Sequence, residues 1–412
     1  MIEKKYKCKV CKKKIKDFFC DLGSTPLANS FLKNKNYIKK EKNYPLKVYY
    51  CKNCYLPQLP EHVIAENIFS SYDYFSSYSK TWIEHSKNFV DKFLKKYNLD
   101  KSKKICEIAS NDGYLLQFFK NKGYDVLGIE PATNVADAAI KKKISTLKLF
   151  FGHKTAKKIK KNFGLQDLII CNNVYAHVPD ILDFTKGLKE LISKEGIITI
   201  EFPHFLNLVK KKQFDTIYHE HFSYLSLHST NKILQKFDFV IFKVEKIRTH
   251  GGSLRIYIKN KMSKKNKIDK SFKSIFDQEK KSNIFKKVTM QKFSSKLEKT
   301  KNDFINLLIN LKIQKKKVVA YGAAAKGNTF LNYCNIGSSL IDFVVDKNPS
   351  KVGKLLPGSH LKIFSANKLK KFKPDYLVIL PWNIKDEIIR QIKDIGLKTK
   401  FITAIPKIII DK

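Results

Sequence analysis

Two short cysteine pairs near the amino terminus constrain the fold more than any other feature of the sequence. Cys8 and Cys11 form one CxxC turn, and Cys51 and Cys54 form a second turn with the same spacing. Each turn can wrap one side of a tetrahedral ion, and four thiolates complete the coordination of a structural zinc site. The sequence therefore predicts one Zn²⁺ held by these four cysteines, with no ligand position left open for catalysis.

Short apolar runs alternate with helical patterns over much of the remaining chain. At 412 residues it exceeds what one hydrophobic core usually holds, so we expect more than one domain. The alternation from residue 104 onwards is typical of an α/β fold with a parallel, doubly wound sheet. The predicted strands are Lys104–Ile108, Asp125–Ile129, Asp167–Cys171 and Gly196–Glu201, with an edge hairpin over Asp238–Lys246 and Ser253–Lys259.

A second α/β unit follows a charged stretch with recurring apolar positions. Residues 269–313 have the periodicity of long helices. Strands are predicted at Val318–Tyr321, Ile341–Asp346 and Tyr376–Leu380. After the first of these strands, Gly322-Ala-Ala-Ala-Lys-Gly327 offers backbone amides that can hold a phosphate. The alternative interpretation is a degenerate Rossmann-like module that serves packing alone.

The net charge of +44 raises the question of a nucleic-acid partner. Among the 81 basic residues, all but Arg248, Arg255 and Arg390 are lysines, and they are spread over the whole chain. Arginine is preferred for bidentate contacts with phosphates and bases, so this composition predicts solvated lysines and no nucleic-acid partner. A polar, basic amino terminus and the lack of an apolar run of about 18 residues predict a cytoplasmic protein without membrane association.

The first turn of the predicted sheet consists of small residues. Glu107-Ile-Ala-Ser-Asn-Asp-Gly113 takes the place of a glycine-rich loop, and its glycine permits close backbone approach. Glu130 follows the second strand and can accept hydrogen bonds from both hydroxyls of a ribose. Asn172 and Asn173 follow a later strand, at the edge where such sheets bind ligands. These features fit any cofactor with a ribose, and the lack of a GxGxxG sequence argues against NAD.

Four longer strings, together with the cysteine pattern, resemble the sugar C-methyltransferases of deoxysugar biosynthesis. They are Glu107-Ile-Ala-Ser-Asn-Asp-Gly113, Asn173-Val-Tyr-Ala-His-Val-Pro-Asp180, Tyr218-His-Glu-His-Phe222 and Ala320-Tyr-Gly-Ala-Ala-Ala-Lys-Gly-Asn328. The resemblance covers nearly the whole chain in the same order. It implies S-adenosylmethionine (SAM) as the cofactor and an α/β protein of three parts. The three parts are a zinc domain (1–70), a Rossmann-like SAM methyltransferase domain (71–265) and a C-terminal Rossmann-like domain (315–412), and a helical linker (266–314) joins the last two.

Methylation of a carbon beside a ketone needs a base, because the proton must leave before the carbon attacks the methyl group of SAM. The resemblance implies His221 as this base, with Tyr218 and Glu220 near the reacting centre. His177 could donate to the developing enolate oxygen. We further predict two sets of binding residues. The cofactor set is Ser110, Asn111, Gly113, Glu130, Pro131, Asn172 and Asn173, and the substrate set is Tyr78, His204, Lys326 and Asn328.

The substrate implied by the resemblance is a small molecule, a nucleotide-linked 4-keto deoxysugar methylated at the ring carbon beside its ketone. An O-methyltransferase on a sugar or related metabolite is one alternative, and a zinc-knuckle RNA-binding methyltransferase is another. His219 is a second candidate base. Tyr72, Tyr74 and Tyr78 fit either a lid or linker packing, and monomer and homo-oligomer both stay open.

Overall fold

The amino-terminal part is a small antiparallel β domain. The structure, a computed structural model, describes residues 6–70 and 75–411. The elements of this part are β1 (Tyr6–Lys7), β2 (Lys14–Ile15), β3 (Phe18–Thr25), β4 (Tyr44–Cys51), β5 (Leu56–Gln58) and the short helix α1 (Ala65–Phe69). One CxxC turn joins β1 to β2, and the other joins β4 to β5. The two hairpin ends therefore carry the four cysteines.

The middle part is built on a seven-stranded sheet. Its strands are β6 (Lys104–Ile108), β7 (Asp125–Ile129), β8 (Thr146–Leu147), β9 (Gln166–Asn172), β10 (Ile192–Pro203), β11 (Phe239–Ile247) and β12 (Ser253–Asn260). They lie in the order β11-β12-β10-β9-β6-β7-β8. The last five of that order run parallel, whereas β12 is antiparallel to both of its neighbours.

Helices cover both faces of the middle sheet, which explains why its central strands are almost entirely apolar. The helices are α2 (Lys80–Tyr97), α3 (Leu116–Lys120), α4 (Thr133–Lys141), α5 (His153–Phe163), α6 (Ile181–Leu191), α7 (Phe205–Lys210) and α8 (Leu227–Gln235). Ile105, Ile169 and Ile198 have no exposed surface. The sheet thus presents its polar residues at the strand ends.

Two helices lead into the C-terminal part, α9 (Lys270–Lys281) and α10 (Lys287–Ile313). A six-stranded sheet follows in the order β15-β14-β13-β16-β17-β18, with β18 antiparallel. Its elements are β13 (Val318–Tyr321), α11 (Ala325–Tyr333), β14 (Val344–Asp346), β15 (Ile363–Ser365), α12 (Lys368–Phe372), β16 (Tyr376–Ile379), α13 (Lys385–Asp394), β17 (Lys400–Thr403) and β18 (Ile409–Asp411).

These elements confirm the predicted α/β class, the long linking helices and the edge hairpin. Three strands have the predicted bounds, β6, β7 and β13. The strand predicted over Ile341–Asp346 begins later, at Val344, because Ile341 packs into the core from the preceding turn. Among the described residues, no helix is both long and apolar enough to cross a membrane.

The amino-terminal domain touches both other parts of the molecule. Its strand β5 lies beside the segment 222–224 of the middle part, where Leu59 N–H donates to the Phe222 carbonyl and Tyr224 N–H donates to the Pro57 carbonyl, both at 3.0 Å. Strands β3 and β4 share a hydrophobic core with α10 and the C-terminal sheet. The carboxyl edge of the middle sheet is thereby enclosed on two sides.

Candidate active site

A cavity of about 540 Å³ lies at the carboxyl edge of the middle sheet, within the range of small-molecule sites. All three parts of the chain line it. The amino-terminal domain contributes Asn29, the middle part Asn172 and His221, and the C-terminal part Lys326. The fold therefore brings residues that are far apart in sequence together around one cavity.

Glu130 organises one wall of this cavity. Its carboxylate accepts hydrogen bonds from the backbone amides of Asn111 and Ala132, each at 2.9 Å. Burial raises the pKa of Glu130 to about 6, and the two amide donors oppose that rise. Asn111 and Pro131 line the same wall, and Asn111 adopts a left-handed conformation with φ of 49°. The first turn and the acid are thus held together as one surface of the cavity.

Asn172 and Asn173 face the cavity beside this wall. Asn172 is 6% exposed, and none of the four amide N and O atoms of the two side chains has a hydrogen-bond partner among residues 6–70 and 75–411. Buried amides are almost always paired, so these atoms are the donors and acceptors expected to bind a polar ligand. The wall therefore suits a cofactor with a ribose and polar ends.

Ser110 and Gly113 lie behind the wall and outside the cavity lining. Ser110 is buried and packs against Gly128, at which a Cβ atom would overlap the serine hydroxyl. Gly113 has φ of +75°, and a Cβ at this position would overlap Ile144. Its backbone conformation and its packing against Ile144, in the loop after α4, are two structural reasons for a glycine at this position, and its approach to a ligand stays a prediction.

His221 stands on the opposite wall in a defined tautomer. Its Nδ1 lies 2.7 Å from the carbonyl oxygen of Thr216. Because a carbonyl can only accept, Nδ1 carries the hydrogen and Nε2 keeps a lone pair. Burial, reinforced by the nearby His177, holds the pKa of His221 well below its usual value. The imidazole is therefore neutral at neutral pH and able to accept a proton.

Two rings enclose His221 within the cavity. The His177 ring lies 4.5 Å from it, and the Tyr218 ring lies 4.1 Å from it, centroid to centroid. Burial lowers the pKa of His177 to about 4, so this ring is also neutral at neutral pH. Its Nδ1 has no hydrogen-bond partner in the described part of the chain. Two imidazoles and one phenol thus share a single small volume.

The segment 218–221 divides between the cavity and the protein interior. Tyr218, Glu220 and His221 line the cavity, whereas His219 turns away. The Nε2 atom of His219 lies 3.2 Å from the carbonyl oxygen of Tyr44, and its ring packs edge-on to the Tyr44 ring. The geometry thus disfavours His219 as the base.

The four predicted substrate residues separate into one that lines the cavity and three that do not. Lys326 lines it, donates to Asn383 Oδ1 at 2.7 Å and lies 4.9 Å above the Trp382 ring. The other three predicted residues have different environments. Tyr78 is 66% exposed, His204 is 2.7 Å from Glu279 Oε1, and Asn328 donates to the Ala28 carbonyl at 3.1 Å. Tyr72 and Tyr74 lie outside the described residues.

Several lining residues escaped the sequence analysis. Asn29 donates from Nδ2 to Glu220 Oε1 at 2.6 Å, which joins the amino-terminal domain to the predicted catalytic segment. Trp82, His250 and Lys351 also line the cavity. Of these, His250 alone carried a signal, since a histidine followed by two glycines in a hairpin turn is an unusual choice for a simple connection.

The four cysteines form a compact cluster in the amino-terminal domain. Their Sγ atoms all lie within 4.8 Å of one another, and Cys11 and Cys51 are 3.7 Å apart. Sulfurs at the corners of a tetrahedron around zinc, with Zn–S bonds of about 2.3 Å, are separated by about 3.8 Å. Gln58 Nε2 lies 3.4 Å from the Cys8 sulfur, as an outer hydrogen-bond donor to a thiolate would. The donor set and its spacing therefore fit Zn²⁺.

Comparisons with known proteins agree with this arrangement. Residues 8–69 match a family described as a putative zinc binding domain, residues 82–244 a methyltransferase domain, and residues 248–406 a C-methyltransferase C-terminal domain. The chain is 30% identical over 386 residues to the C-methyltransferase NovU of Streptomyces niveus. The alignment covers 93% of this chain and 92% of NovU.

Solved structures give partial likenesses. Magnesium protoporphyrin IX methyltransferase of Synechocystis PCC 6803, solved with bound SAM, is 15% identical to this chain with a TM-score of 0.34. The match covers 44% of this chain and 81% of the methyltransferase. The PH0226 protein of Pyrococcus horikoshii OT3 is 12% identical with a TM-score of 0.36, covering 47% and 97%.

The full-length match to NovU and the three matching domains occur in the same order as the zinc cluster, the SAM-binding sheet and the C-terminal sheet of the structure. The cofactors of such a protein are SAM and Zn²⁺. The chain belongs to the family of SAM-dependent C-methyltransferases that includes NovU.

Proposed function

We propose that the protein transfers a methyl group from SAM to the ring carbon beside the ketone of a nucleotide-linked 4-keto deoxysugar. The single observation that carries this proposal is the tautomer of His221. Its Nδ1–H is committed to the Thr216 carbonyl, which leaves a basic Nε2 in a cavity that also holds the cofactor wall. A base of this kind is needed for carbon methylation at a site next to a ketone.

In the proposed reaction, His221 Nε2 removes the proton from the carbon beside the ketone, and the electron pair moves toward the carbonyl oxygen. SAM, when bound, supplies an electrophilic methyl group, and the carbon forms its new bond as the sulfur–methyl bond breaks. The proton stays on His221 and then passes to solvent. Because His221 starts neutral, it needs no prior deprotonation at neutral pH.

The developing negative charge on the ketone oxygen requires hydrogen-bond donors. His177 and Tyr218 both lie against His221, and they are the proposed donors to this oxygen. A neutral imidazole serves here as a donor without bringing a competing acid into the site. Glu220, held by Asn29, lies on the same wall and can accept from a sugar hydroxyl.

The C-terminal part provides positive charge for the nucleotide diphosphate. Ala324 and Ala325 at the start of α11 line the cavity with Lys326 and Lys351. Backbone amides at a helix start together with a lysine favour phosphate. Burial lowers the pKa of Lys326, while the nearby Asp215 carboxylate opposes that shift. Lys326 and Lys351 are therefore the proposed partners of the diphosphate.

Mass spectrometry of products tests the proposal. Methyl-labelled SAM is incubated with the enzyme and a panel of nucleotide-linked sugars, each 4-keto sugar being matched with its reduced 4-hydroxy counterpart. We expect label on a ring carbon of a keto sugar and none on the reduced partner. Label on oxygen, with turnover of the reduced sugar, would support an O-methyltransferase instead, and label on RNA alone would contradict the small-molecule assignment.

A further inference from the structure

The turn between β11 and β12 holds a residue in a conformation that costs energy. His250 has φ of 51° and ψ of 29°, the left-handed region that non-glycine residues rarely occupy. Strain of this kind persists where the surrounding structure enforces it, and such sites are often functional. The imidazole lines the cavity that contains His177 and His221. The outlier is therefore next to the proposed reacting centre.

Neighbouring side chains fix the backbone of this turn from below. Gln213 Nε2 donates to the Gly251 carbonyl at 2.9 Å, and Asn207 Nδ2 donates to the Gly252 carbonyl at 3.0 Å. Both glycines have positive φ. A Cβ at Gly251 would overlap the Gln213 side chain, and a Cβ at Gly252 would overlap the Asn207 side chain. The turn thus accepts no larger residue at 251 or 252 and has little freedom to move His250.

A buried ionic cluster holds the residue just before His250. Glu201 has no exposed surface, and its Oε2 lies 2.7 Å from Arg255 Nη2 and 3.2 Å from His85 Nε2. Its Oε1 accepts a hydrogen bond from Thr249 Oγ1 at 2.9 Å. Burial alone would raise the pKa of Glu201, but Arg255 and His85 outweigh it and lower the pKa to about 2. The carboxylate therefore remains charged and bound to Thr249.

Trp82 connects this cluster to the cavity. Its ring stacks on His85 at 4.9 Å and meets the His250 ring at 5.3 Å in an edge-on arrangement. Trp82 lines the cavity, whereas Glu201 and Arg255 lie outside the lining. Burying a carboxylate and a guanidinium costs desolvation energy, and a hydrophobic pair would often be more stable. The cluster is thus better explained by positioning of the turn than by stability.

We infer that His250 is a further substrate-contacting residue, whose imidazole hydrogen-bonds an oxygen of the acceptor sugar while Thr249 and Glu201 hold it in place. This inference rests on the proposed function, because the acceptor is the sugar assigned there. His250 faces the cavity from the side of Lys326, and both lie within electrostatic reach of His221. It completes a set of three imidazoles around one substrate volume.

The test compares His250→Gln and His250→Ala with the wild type on the keto sugar that the wild type methylates. Loss of one hydrogen bond to a bound ligand should lower kcat/KM by about 10- to 100-fold in the alanine variant. The glutamine variant keeps a donor and an acceptor and should recover part of this loss. Calorimetry should show the same SAM dissociation constant, within about twofold, for all three proteins.

His228→Gln is the matched control. Like His250, His228 is a partly buried histidine, but it binds Glu279 and lies outside the cavity lining. We expect it to keep the wild-type kcat/KM. Thr249→Val should lower kcat/KM through the lost bond to Glu201, and Thr249→Ser should restore it.

Unchanged kcat/KM in His250→Ala would overturn the inference, while wild-type turnover would leave the proposed function intact. A weaker SAM affinity with an unchanged KM for the sugar would also overturn it, since His250 would then belong to the cofactor wall. A wild type that methylates no keto sugar in the panel would overturn both proposals.

Discussion

The two parallel sheets of the molecule have similar architecture but differ at their carboxyl edges. In the middle sheet, Glu130 follows the strand β7 next to β6 and faces an open cavity. In the C-terminal sheet, Asp346 is the last residue of the corresponding strand β14, which lies next to β13. Both acids accept backbone hydrogen bonds, but of the two only Glu130 lines the cavity.

At the C-terminal edge, the carboxylate of Asp346 is occupied by the protein itself. Asp346 accepts hydrogen bonds from the amides of Ala323 at 2.6 Å and Asn348 at 2.7 Å, and Lys351 Nζ donates to the Ala323 carbonyl at 2.9 Å. Gly322 lies against Pro381, which a Cβ atom at this glycine would overlap. The difference teaches that a strand–turn–helix unit with an acid does not by itself make a cofactor site. Instead, this part lends Lys326 to the cavity of its neighbour.

The largest effect is expected from loss of the metal, which should destabilise the structure at the carboxyl edge of the middle sheet more than the C-terminal sheet. The cysteines pack in the same core as the middle sheet. Zinc binding to such sites contributes on the order of 10 kcal/mol to folding. In Cys51→Ser, hydrogen exchange of the Leu59 and Tyr224 amides should become fast, while that of the Leu377 amide changes far less. Equal loss of protection in both sheets would contradict this picture.

A smaller effect should separate the two acids. Glu130→Ala removes the acceptor for the ribose hydroxyls and should weaken SAM binding by about 1 to 3 kcal/mol. The matched variant Asp346→Ala removes a carboxylate from the C-terminal edge and should leave the SAM dissociation constant unchanged. Calorimetry measures both. Tight binding of NADH in place of SAM would contradict the assignment of the cofactor. A weakened SAM affinity in Asp346→Ala would show that the C-terminal edge contributes to SAM binding.

The smallest effect concerns pH. Burial raises the pKa of Glu130 to about 6, so the carboxyl is protonated below that value and accepts poorly from a ribose. SAM affinity should therefore fall by up to about tenfold between pH 7 and pH 5. The free energy of unfolding of the ligand-free protein should change with pH in the opposite direction. The folded state binds the Glu130 proton more tightly than the unfolded state, so the contribution of Glu130 to stability declines as pH rises toward 6. Glu130→Gln should bind SAM with little pH dependence; the same slope as wild type would exclude Glu130 as its cause.

Much of the fold could be predicted from local patterns. Strands such as Lys104–Ile108 and Val318–Tyr321 are short apolar runs bounded by polar or turn residues, and a strand buried on both faces requires this pattern. The four cysteines could likewise be identified from spacing alone. These features depend on neighbours in sequence, so the sequence is sufficient to find them.

The candidate site was harder to predict because its contacts are distant in sequence. Asn29 and Glu220 are 191 positions apart, and Asn328 binds a carbonyl 300 positions away. Nothing in the string around His204 indicates that Glu279 binds its ring. The crowding of Gly113 by Ile144 likewise depends on a loop that comes only after the next strand and helix. Such outcomes follow from packing, which no local pattern encodes.

Solvent exchange at the carbon beside the ketone tests the account most directly, because it reports proton removal by His221 without methyl transfer. The keto sugar is incubated in deuterated water with the enzyme and S-adenosylhomocysteine, and deuterium at that carbon is followed by NMR. Wild type should exchange, and His221→Ala should exchange about 10² to 10⁴ times more slowly while still binding SAM. His219→Ala, altered outside the cavity, should exchange like wild type. Normal exchange in His221→Ala would contradict the central claim.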